Sequence, residues 1–402
     1  MTSVSPLGRR PSPSRSELPI SSAAEHEAQA NRFAPDIRLN VLRICADCPR
    51  FADLMHAFPA AAYRIAARSA PIGEIDQALT LVHDGAPLRD VADVLGLPYW
   101  IRRLPPEAFR APIPPLPGDA EFSRRIGNVM PRSPRTSALW LEAVGFGRLA
   151  AGEDFAIWLA GQPILEERGL TKEHFATLAA YAWHSSSRST RAGRLILVPW
   201  HGEMAFDSAL CSARAWLNRV RLVLQLKPGV VVDPWLTPGV ALGMDFVPLL
   251  TAGDLLDEAA GMRNCADQFA ERLVREKCRL FGLRRNGERI ATLEIGQHVR
   301  ETGVLDILQL KGRANAQASA EAWRAAHTWL AQQKSLLRQP VLAADDRRYD
   351  ARTWTILMRP YRTARGGAPW LAEAMTSVAF GRLAGHLAEL ARRARVTSWL
   401  FN

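Results

Sequence analysis

A single dipeptide, Asn286-Gly287, constrains the fold of this chain more than any other feature. It separates two runs rich in apolar residues, "CRLFGLRR" at 278–285 and "ERIATLEIG" at 288–296. Both residues of an Asn-Gly pair tolerate positive φ, which makes this pair the strongest short signal for a two-residue β-hairpin turn. The pattern therefore predicts two antiparallel strands whose register is set by the turn.

The register of this hairpin follows from the turn. It predicts three facing pairs, Leu283 with Ile290, Phe281 with Thr292, and Arg279 with Glu294. Glu294 is then expected to form an ion pair with Arg279. Large apolar residues occur on both faces of the hairpin, so we expect the sheet to be covered on each side.

The segments around the hairpin predict a larger unit. Apolar side chains recur every three or four residues from Leu255 to Leu273 and predict one amphipathic helix over 254–276. A third strand is predicted at 304–310 and a second helix at 314–333. The result is an α-βββ-α unit with a small antiparallel meander.

The rest of the chain is mainly helical in pattern, so the predicted fold class is α+β and mainly helical, with helical N- and C-terminal regions. A short strand is predicted at 193–200 ("GRLILVPW"). The predicted regions are a disordered Ser/Pro/Arg-rich head at 1–35, a helical N-terminal region at 36–110, a Pro-rich linker at 111–119, a helical region with short strands at 120–249, the α-βββ-α core at 250–335, and a basic helical C-terminal segment at 336–402.

Residues 88–104 have the pattern of a helix-turn-helix. Ala92 and Gly96 have the small-residue spacing of a tight corner between helices, and Pro98 then opens a second helix. Any pair of helices with a Gly at the turn has the same pattern, so a DNA-reading helix and a plain helical hairpin are both open here.

The cysteines argue against a disulfide framework, because there are five of them and they are sparse. Cys45 and Cys48 form a C-x-x-C without a second such pair, so we predict reduced thiols and assign no metal or cofactor. The chain has no apolar run long enough for a membrane helix and no signal-peptide core near residue 1. The expected location is the cytoplasm, without a membrane partner.

The formal net charge of +11 is unevenly distributed. Residues 351–402 carry a net +6, from eight Arg against two acidic residues. Basic surfaces of this kind favour DNA or RNA as partners. The candidate nucleic-acid contacts are Arg272, Arg275, Arg279, Arg285, Arg289, Arg392, Arg393 and Arg395.

Residues 246–315 contain a spaced set of residues that carries a family resemblance: Glu258, Met262, Cys265, Phe269, Arg284, Thr292, Glu294, Gln309, Gly312 and Asn315. On these positions the stretch resembles the PcfJ-like proteins of conjugative plasmids, phages and bacterial chromosomes. The pattern of that family has an acidic residue and a Met before a His-Cys-Val triplet with an aromatic residue nearby. An Arg-ending strand, a Thr-x-Glu strand and a Gln-x-x-Gly-x-x-Asn segment follow it.

The chain departs from that pattern beside the cysteine. Asn264 stands where the pattern has His, Ala266 where it has Val, and Phe269 where Tyr is usual. An amide nitrogen has no lone pair that accepts a proton, so Asn264 cannot replace a general base or a metal-ligating imidazole. The resemblance implies an accessory role in mobile elements and brings with it no established activity.

Two functional hypotheses compete for these residues. Cys265, His298 and Asp306 follow the chain order of a thiol hydrolase or transferase. Alternatively, polar side chains from separate segments converge on a site that binds nucleic acid or a protein partner. The candidate residues of that polar site are Glu258, Asn264, Cys265, Arg284, Thr292, Glu294, Gln309, Gly312 and Asn315. Of these two functions we favour the binding site. A third alternative, without a function, stays open: Glu294 pairs with Arg279 and the amides satisfy loop backbone around Gly312.

Overall fold

The computed structural model describes residues 23–131, 133–162, 172–226, 229–339 and 349–400. The chain divides into two compact units, Met1–Leu141 and Glu142–Asn402. The described residues form sixteen α-helices and one five-stranded antiparallel sheet, which confirms the predicted α+β, mainly helical fold class. Among the described helices, none has both the length and the apolar composition that a membrane crossing requires.

The first unit is helical in its described part. Its helices are α1 (Ala23–Ala30), α2 (Arg38–Asp47), α3 (Arg50–Ala57), α4 (Pro59–Ala66), α5 (Ile72–Asp84), α6 (Leu88–Val94) and α7 (Asp119–Ile126). Helix α8 (Pro134–Ala151) spans the division between the units. Helix α1 lies within the head that we predicted to be disordered, and that boundary was wrong. Ala30 and Phe33 are each 1% exposed, so this segment buries enough apolar surface to be ordered. Residues 1–22 lie outside the described part of the chain.

The Pro-rich segment 111–119 does not separate two regions as predicted. The indole Nε1 of Trp100 donates a hydrogen bond of 3.1 Å to the carbonyl of Pro117. The ring of Phe122 stacks on Trp100 with a centroid distance of 4.1 Å. The segment is therefore packed against the helical region that precedes it, and the chain divides at 141/142 instead.

The helix-turn-helix pattern at 88–104 does not form a recognition helix. After α6 the chain forms only a short 3₁₀-helix, Tyr99–Arg103, in which Trp100 and Ile101 are buried. Leu104 then adopts an extended conformation, because the residue before Pro105 is disfavoured in the α region. This segment is a packed helical corner.

The second unit contains a layer of helices and the sheet. The helices outside the sheet region are α9 (Glu153–Ala160), α10 (Lys172–Ser186), α11 (Phe206–Gln225), α15 (Ala351–Ala364) and α16 (Ser377–Leu400). The strand predicted at 193–200 is absent, since residues 193–195 form a 3₁₀ turn. Side chains of α10 satisfy the backbone there: Tyr181 donates to the carbonyl of Val198, and Ser185 accepts from the N–H of Trp200.

The sheet has two more strands than predicted. Its strands are β1 (Gly239–Ala241), β2 (Met244–Pro248), β3 (Cys278–Arg285), β4 (Glu288–Gln297) and β5 (Leu305–Lys311), in the order β1-β2-β3-β4-β5. The predicted meander is β3-β4-β5. The missed hairpin turns at Leu242-Gly243, where both residues have positive φ. Because Leu is uncommon at such a position, this turn has no clear sequence signal.

The hairpin register changes three residues from the turn. Near Asn286-Gly287 the predicted pairing holds, with Arg285 facing Glu288. A bulge then leaves Ile290 as an extra residue on β4. Beyond it every pair differs by one residue from the prediction, so Glu294 faces Leu280 and not Arg279. The three predicted pairs were therefore wrong.

Both faces of the sheet are covered, as predicted. One face packs on helix α14 (Ala320–Ala331) through a buried cluster that includes Phe281, Leu293 and Trp329. The other face packs on helix α12 (Ala252–Met262) and helix α13 (Ala270–Val274), through residues that include Cys278 and Leu280. The bulge puts Thr292 and Glu294 on this second face, with Leu280.

Candidate polar binding site on the α-βββ-α core

A break in the predicted helix 254–276 creates the site. Helix α12 begins with a capping box in which Thr251 accepts from Asp254, and it ends at Met262. Arg263 then has φ 53°, and a 3₁₀ turn at 266–268 precedes α13. The side chain of Asn264 accepts a hydrogen bond of 3.1 Å from the N–H of Ala266, a turn that competes with helix continuation. The prediction of a single helix was therefore wrong, and the break leaves Asn264 and Cys265 partly exposed at its end.

A chain of hydrogen bonds joins this break to the sheet. The amide of Asn264 donates to the hydroxyl of Thr292 at 2.7 Å, and that hydroxyl donates to Oε1 of Glu258 at 2.7 Å. Glu258 is 1% exposed. A buried carboxylate requires hydrogen-bond donors, and Thr292 supplies one from β4. The chain fixes the position of α12 relative to β4.

Two arginines and a glycine complete the surroundings of Glu258. Nε of Arg289 lies 3.3 Å from Oε2 of Glu258, and a guanidinium nitrogen of Arg284 lies 4.0 Å from the same oxygen. On β3, Gly282 leaves room for this carboxylate, since a β-carbon there would lie 3.3 Å from Oε2. Arg289, which we predicted as a nucleic-acid contact, is thus a partner of Glu258 and also of Asp257.

Glu294 is the second buried carboxylate of the site. It forms an ion pair with Arg272, and it accepts a hydrogen bond of 2.8 Å from the amide of Gln309 on β5. Its Oε1 accepts no well-aligned hydrogen bond within the described residues, so Arg272 acts there as a charge partner. The predicted ion pair with Arg279 does not form.

Arg279 lies on the opposite face of the sheet. Its guanidinium donates to the carbonyl oxygens of Asp233, Leu273 and Cys278 and lies 4.1 Å from the ring centroid of Trp235. Burial lowers the pKa of Arg279 to about 10. Only 2% of this side chain is exposed, so Arg279 stabilises the fold and is not available as a contact to nucleic acid.

The thiol of Cys265 is half-buried at the rim. Its Sγ lies 3.9 Å from Oδ1 of Asn315, within reach of a weak S–H hydrogen bond. Burial raises the pKa of Cys265, and the carboxylates of Asp267 and Glu294 add to this shift. The thiol form is therefore favoured over the nucleophilic thiolate.

The other two members of the hydrolase hypothesis lie elsewhere. Nε2 of His298 is 3.9 Å from Asp306, so these two residues do meet. His298 follows the end of β4, however, four residues beyond Glu294 and roughly 13 Å along the strand direction. Nδ1 of His298 accepts from the N–H groups of Arg300 and Glu301. The imidazole thus organises its own loop and is not brought to Cys265.

The polar residues surround a shallow depression that encloses about 20 Å³. That space holds roughly one water molecule. Its lining consists of Asn264, Cys265, Ala266, Phe269, Leu280, Thr292, Glu294, Gln309, Lys311 and Asn315.

Most of the predicted polar site therefore converges in space. Glu258 and Arg284 lie deeper, behind Thr292, and Gly312 lies outside the lining, where its N–H donates to the carbonyl of Ala316. Sequence reasoning missed Lys311 as a member of the site. Lys311 faces Thr292 across β4 and β5, two residues from Gln309, so strand alternation was the signal that places it on this face.

Most of the candidate nucleic-acid contacts form ion pairs with carboxylates of the same chain. The ion pairs are Arg272 with Glu294, Arg275 with Glu271, Arg285 with Glu321, Arg289 with Asp257 and Arg392 with Glu389. The side chains of Arg393 and Arg395 lie outside the described residues. The five arginines in these ion pairs are balanced locally and do not form a free basic surface.

Comparisons of this chain with protein-family models, with curated proteins and with solved structures found no match. Across the described ranges, no three His, Cys, Asp or Glu side chains are grouped so that they could hold a metal ion.

Proposed function

We propose that this chain is a PcfJ-like accessory protein of mobile elements and acts as a binding module for a protein partner. The partner contacts the rim of the polar depression on the α-βββ-α core. Cys265, Lys311 and Asn315 form this rim. The partner supplies hydrogen-bonding groups to the rim side chains and takes the place of solvent there.

One observation supports this proposal most. The rim side chains of Lys311 and Asn315 are exposed, while the floor beneath them is held by the hydrogen bonds of Asn264, Thr292 and Glu258. A floor held in place by such hydrogen bonds, under exposed donors and acceptors, is an arrangement that binds without first reorganising.

The size of the depression favours a macromolecular partner. Small-molecule sites enclose roughly 300–1,000 Å³, so a depression of about 20 Å³ is too small to hold a small molecule. The buried carboxylates at and behind the depression have basic partners, since Glu294 pairs with Arg272 and Glu258 pairs with Arg289. A polyanion gains little from such a balanced surface, so a protein is favoured over nucleic acid at this site.

The alternative hypothesis, a cysteine-dependent enzyme, has less support. A thiol with a raised pKa, and no imidazole beside it in the described residues, lacks the activation that nucleophilic catalysis requires.

The proposal is tested by selection of peptides from a random display library on the purified full-length chain. We expect enriched peptides whose binding falls at least tenfold in the variant K311A/N315A. The matched control is K334A/Q332A, which removes exposed polar side chains after α14. Enrichment that is equal in both variants, or that depends only on the control positions, would overturn the proposal.

A further inference from the structure

The loop that follows α10, residues 187–195 ("SRSTRAGRL"), presents three exposed arginines, Arg188, Arg191 and Arg194. None of the three is in an ion pair with another described residue, unlike the arginines of the hairpin. Arg188 donates one hydrogen bond, of 3.4 Å, to the carbonyl of Ile196. The loop therefore concentrates positive charge that the surrounding described protein does not neutralise.

The loop is held in one conformation by Thr190. Its hydroxyl donates to the carbonyl of Ser187 at 2.8 Å, accepts from the N–H of Gly193 at 3.0 Å, and lies 3.0 Å from Nδ1 of the buried His184. These contacts anchor the loop to the last turn of α10, so the arginines extend from a fixed backbone.

The same geometry brings the ends of the loop together. A β-carbon on Gly193 would lie 2.6 Å from the carbonyl oxygen of Ser187 and 2.9 Å from the Cα of Arg188. Only Gly permits this approach. Arg188 and Arg194 consequently extend from neighbouring points of the backbone, with Arg191 at the turn between them.

We propose that this loop binds the phosphate backbone of nucleic acid, independently of base sequence. Arginine presents a planar fork of donors that matches phosphate oxygens, and three arginines extend from this one anchored loop. The exposed Ser189 adds a hydroxyl donor of the kind that contacts phosphates. This surface is separate from the polar depression, and the inference does not depend on the function proposed there.

Nucleic acid is favoured over an anionic membrane by where the apolar side chains lie. Between Arg188 and Arg194 the one apolar side chain is Ala192, which is buried. Leu197 and Val198 are exposed, but their segment is tied to α10 by Tyr181 and Ser185 and flanks the loop. A loop that inserts into lipid would carry its apolar residues at the tip.

The test is fluorescence anisotropy of the full chain with a labelled 20-base-pair duplex of mixed sequence, over 50–300 mM NaCl. Each phosphate contact contributes about −0.9 to the slope of log K against log salt. We therefore expect the variant R188Q/R191Q/R194Q to lose roughly 2.7 units of this slope and at least tenfold in affinity at 100 mM NaCl. The variant R188K/R191K/R194K is expected to keep most of the slope.

The matched control is R275Q/R285Q/R392Q, which removes the same charge from arginines that already have partners. We expect its slope to change by less than one unit. Thermal unfolding and circular dichroism of each variant establish that it is folded. Equal losses in the loop and control variants, no duplex binding by the unaltered chain at 50 mM NaCl, or loop-dependent binding to phosphatidylserine vesicles without duplex binding would each overturn the inference.

Discussion

The hydroxyl of Thr292 donates a hydrogen bond of 2.7 Å to Glu258, a carboxylate that is 1% exposed. The same hydroxyl accepts from Asn264 at the end of α12. One threonine thus connects the sheet, the buried charge and the broken helix that forms the rim of the candidate site. Removing it affects all three.

We expect Thr292→Val to destabilise the protein by about 2–3 kcal/mol, because it leaves a buried carboxylate short of a donor and the Asn264 amide without its acceptor. The two side chains have similar shape, so little of this effect comes from packing. Urea unfolding at pH 7 measures it. The control Thr328→Val removes a hydroxyl that bonds the carbonyl of Arg324 on α14, and we expect a cost below about 0.5 kcal/mol. Similar costs for the two variants would contradict the buried network.

The sequence predicted which residues belong to this network, but it did not predict which of them pair with each other. The spaced polar residues Asn264, Thr292 and Gln309 were assigned to one site from the sequence, and they do converge. The pairing of Glu294 was wrong because one bulge, at Ile290, moves every later residue of β4 by one position. A bulge has no sequence signal here, and it exchanges the two faces of a strand.

The spacing of apolar residues likewise predicted which helix residues are buried, but it did not predict where the helix is interrupted. Leu255, Met262 and Leu273 have helical spacing, and all three are buried, yet the helix between them is interrupted at Arg263. The interruption stems from side-chain hydrogen bonds of Asn264 to Thr292 and to the backbone of Ala266. The first of these is a tertiary contact, which local spacing does not encode.

We expect Gly282→Ala to destabilise the protein by about 1–3 kcal/mol. The added methyl lies 3.3–3.4 Å from both carboxylate oxygens of Glu258, and Thr292 and Arg289 hold that carboxylate in place. The control Gly385→Ala lies in α16, where an added β-carbon meets nothing within 4 Å. Because Ala favours helix over Gly, we expect that variant to gain about 0.5–1 kcal/mol. Thermal unfolding of both variants measures whether their stabilities change in opposite directions. If Gly282→Ala leaves the stability unchanged, the carboxylate of Glu258 is free to move.

Alkylation kinetics test the state of Cys265. Because its pKa is raised and its side chain is half-buried, we expect iodoacetamide at pH 7.5 to modify Cys265 more slowly in the folded protein than in urea. The exposed Cys211 is the internal reference and is expected to react first. Peptide mass spectrometry after timed quenching follows each thiol. Modification of Cys265 before Cys211 would contradict our prediction and would favour the hypothesis of a cysteine-dependent enzyme.

His184 provides the clearest pH dependence. Its side chain is 0% exposed among the rings of Trp183, Trp216 and Tyr361, and burial lowers its pKa from 6.5 to about 4. Below pH 6.5 the unfolded chain binds a proton that the folded chain does not, so folding loses stability as the pH falls. The loss reaches about 3 kcal/mol near pH 4, since a tenfold difference in proton affinity corresponds to about 1.4 kcal/mol.

We therefore expect the free energy of unfolding to decline between pH 6.5 and pH 4, and the variant His184→Gln to lack this part of the decline. His184→Gln is destabilised at pH 7, because the ring packing and the contact with Thr190 are lost. The difference between it and the unaltered protein should then shrink as the pH falls. Exposed His327 is the control, and His327→Gln is expected to change the free energy of unfolding at pH 7 much less than His184→Gln does. Urea unfolding at half-unit steps of pH measures these curves. A constant difference between His184→Gln and the unaltered protein would show that folding does not change the proton affinity of His184.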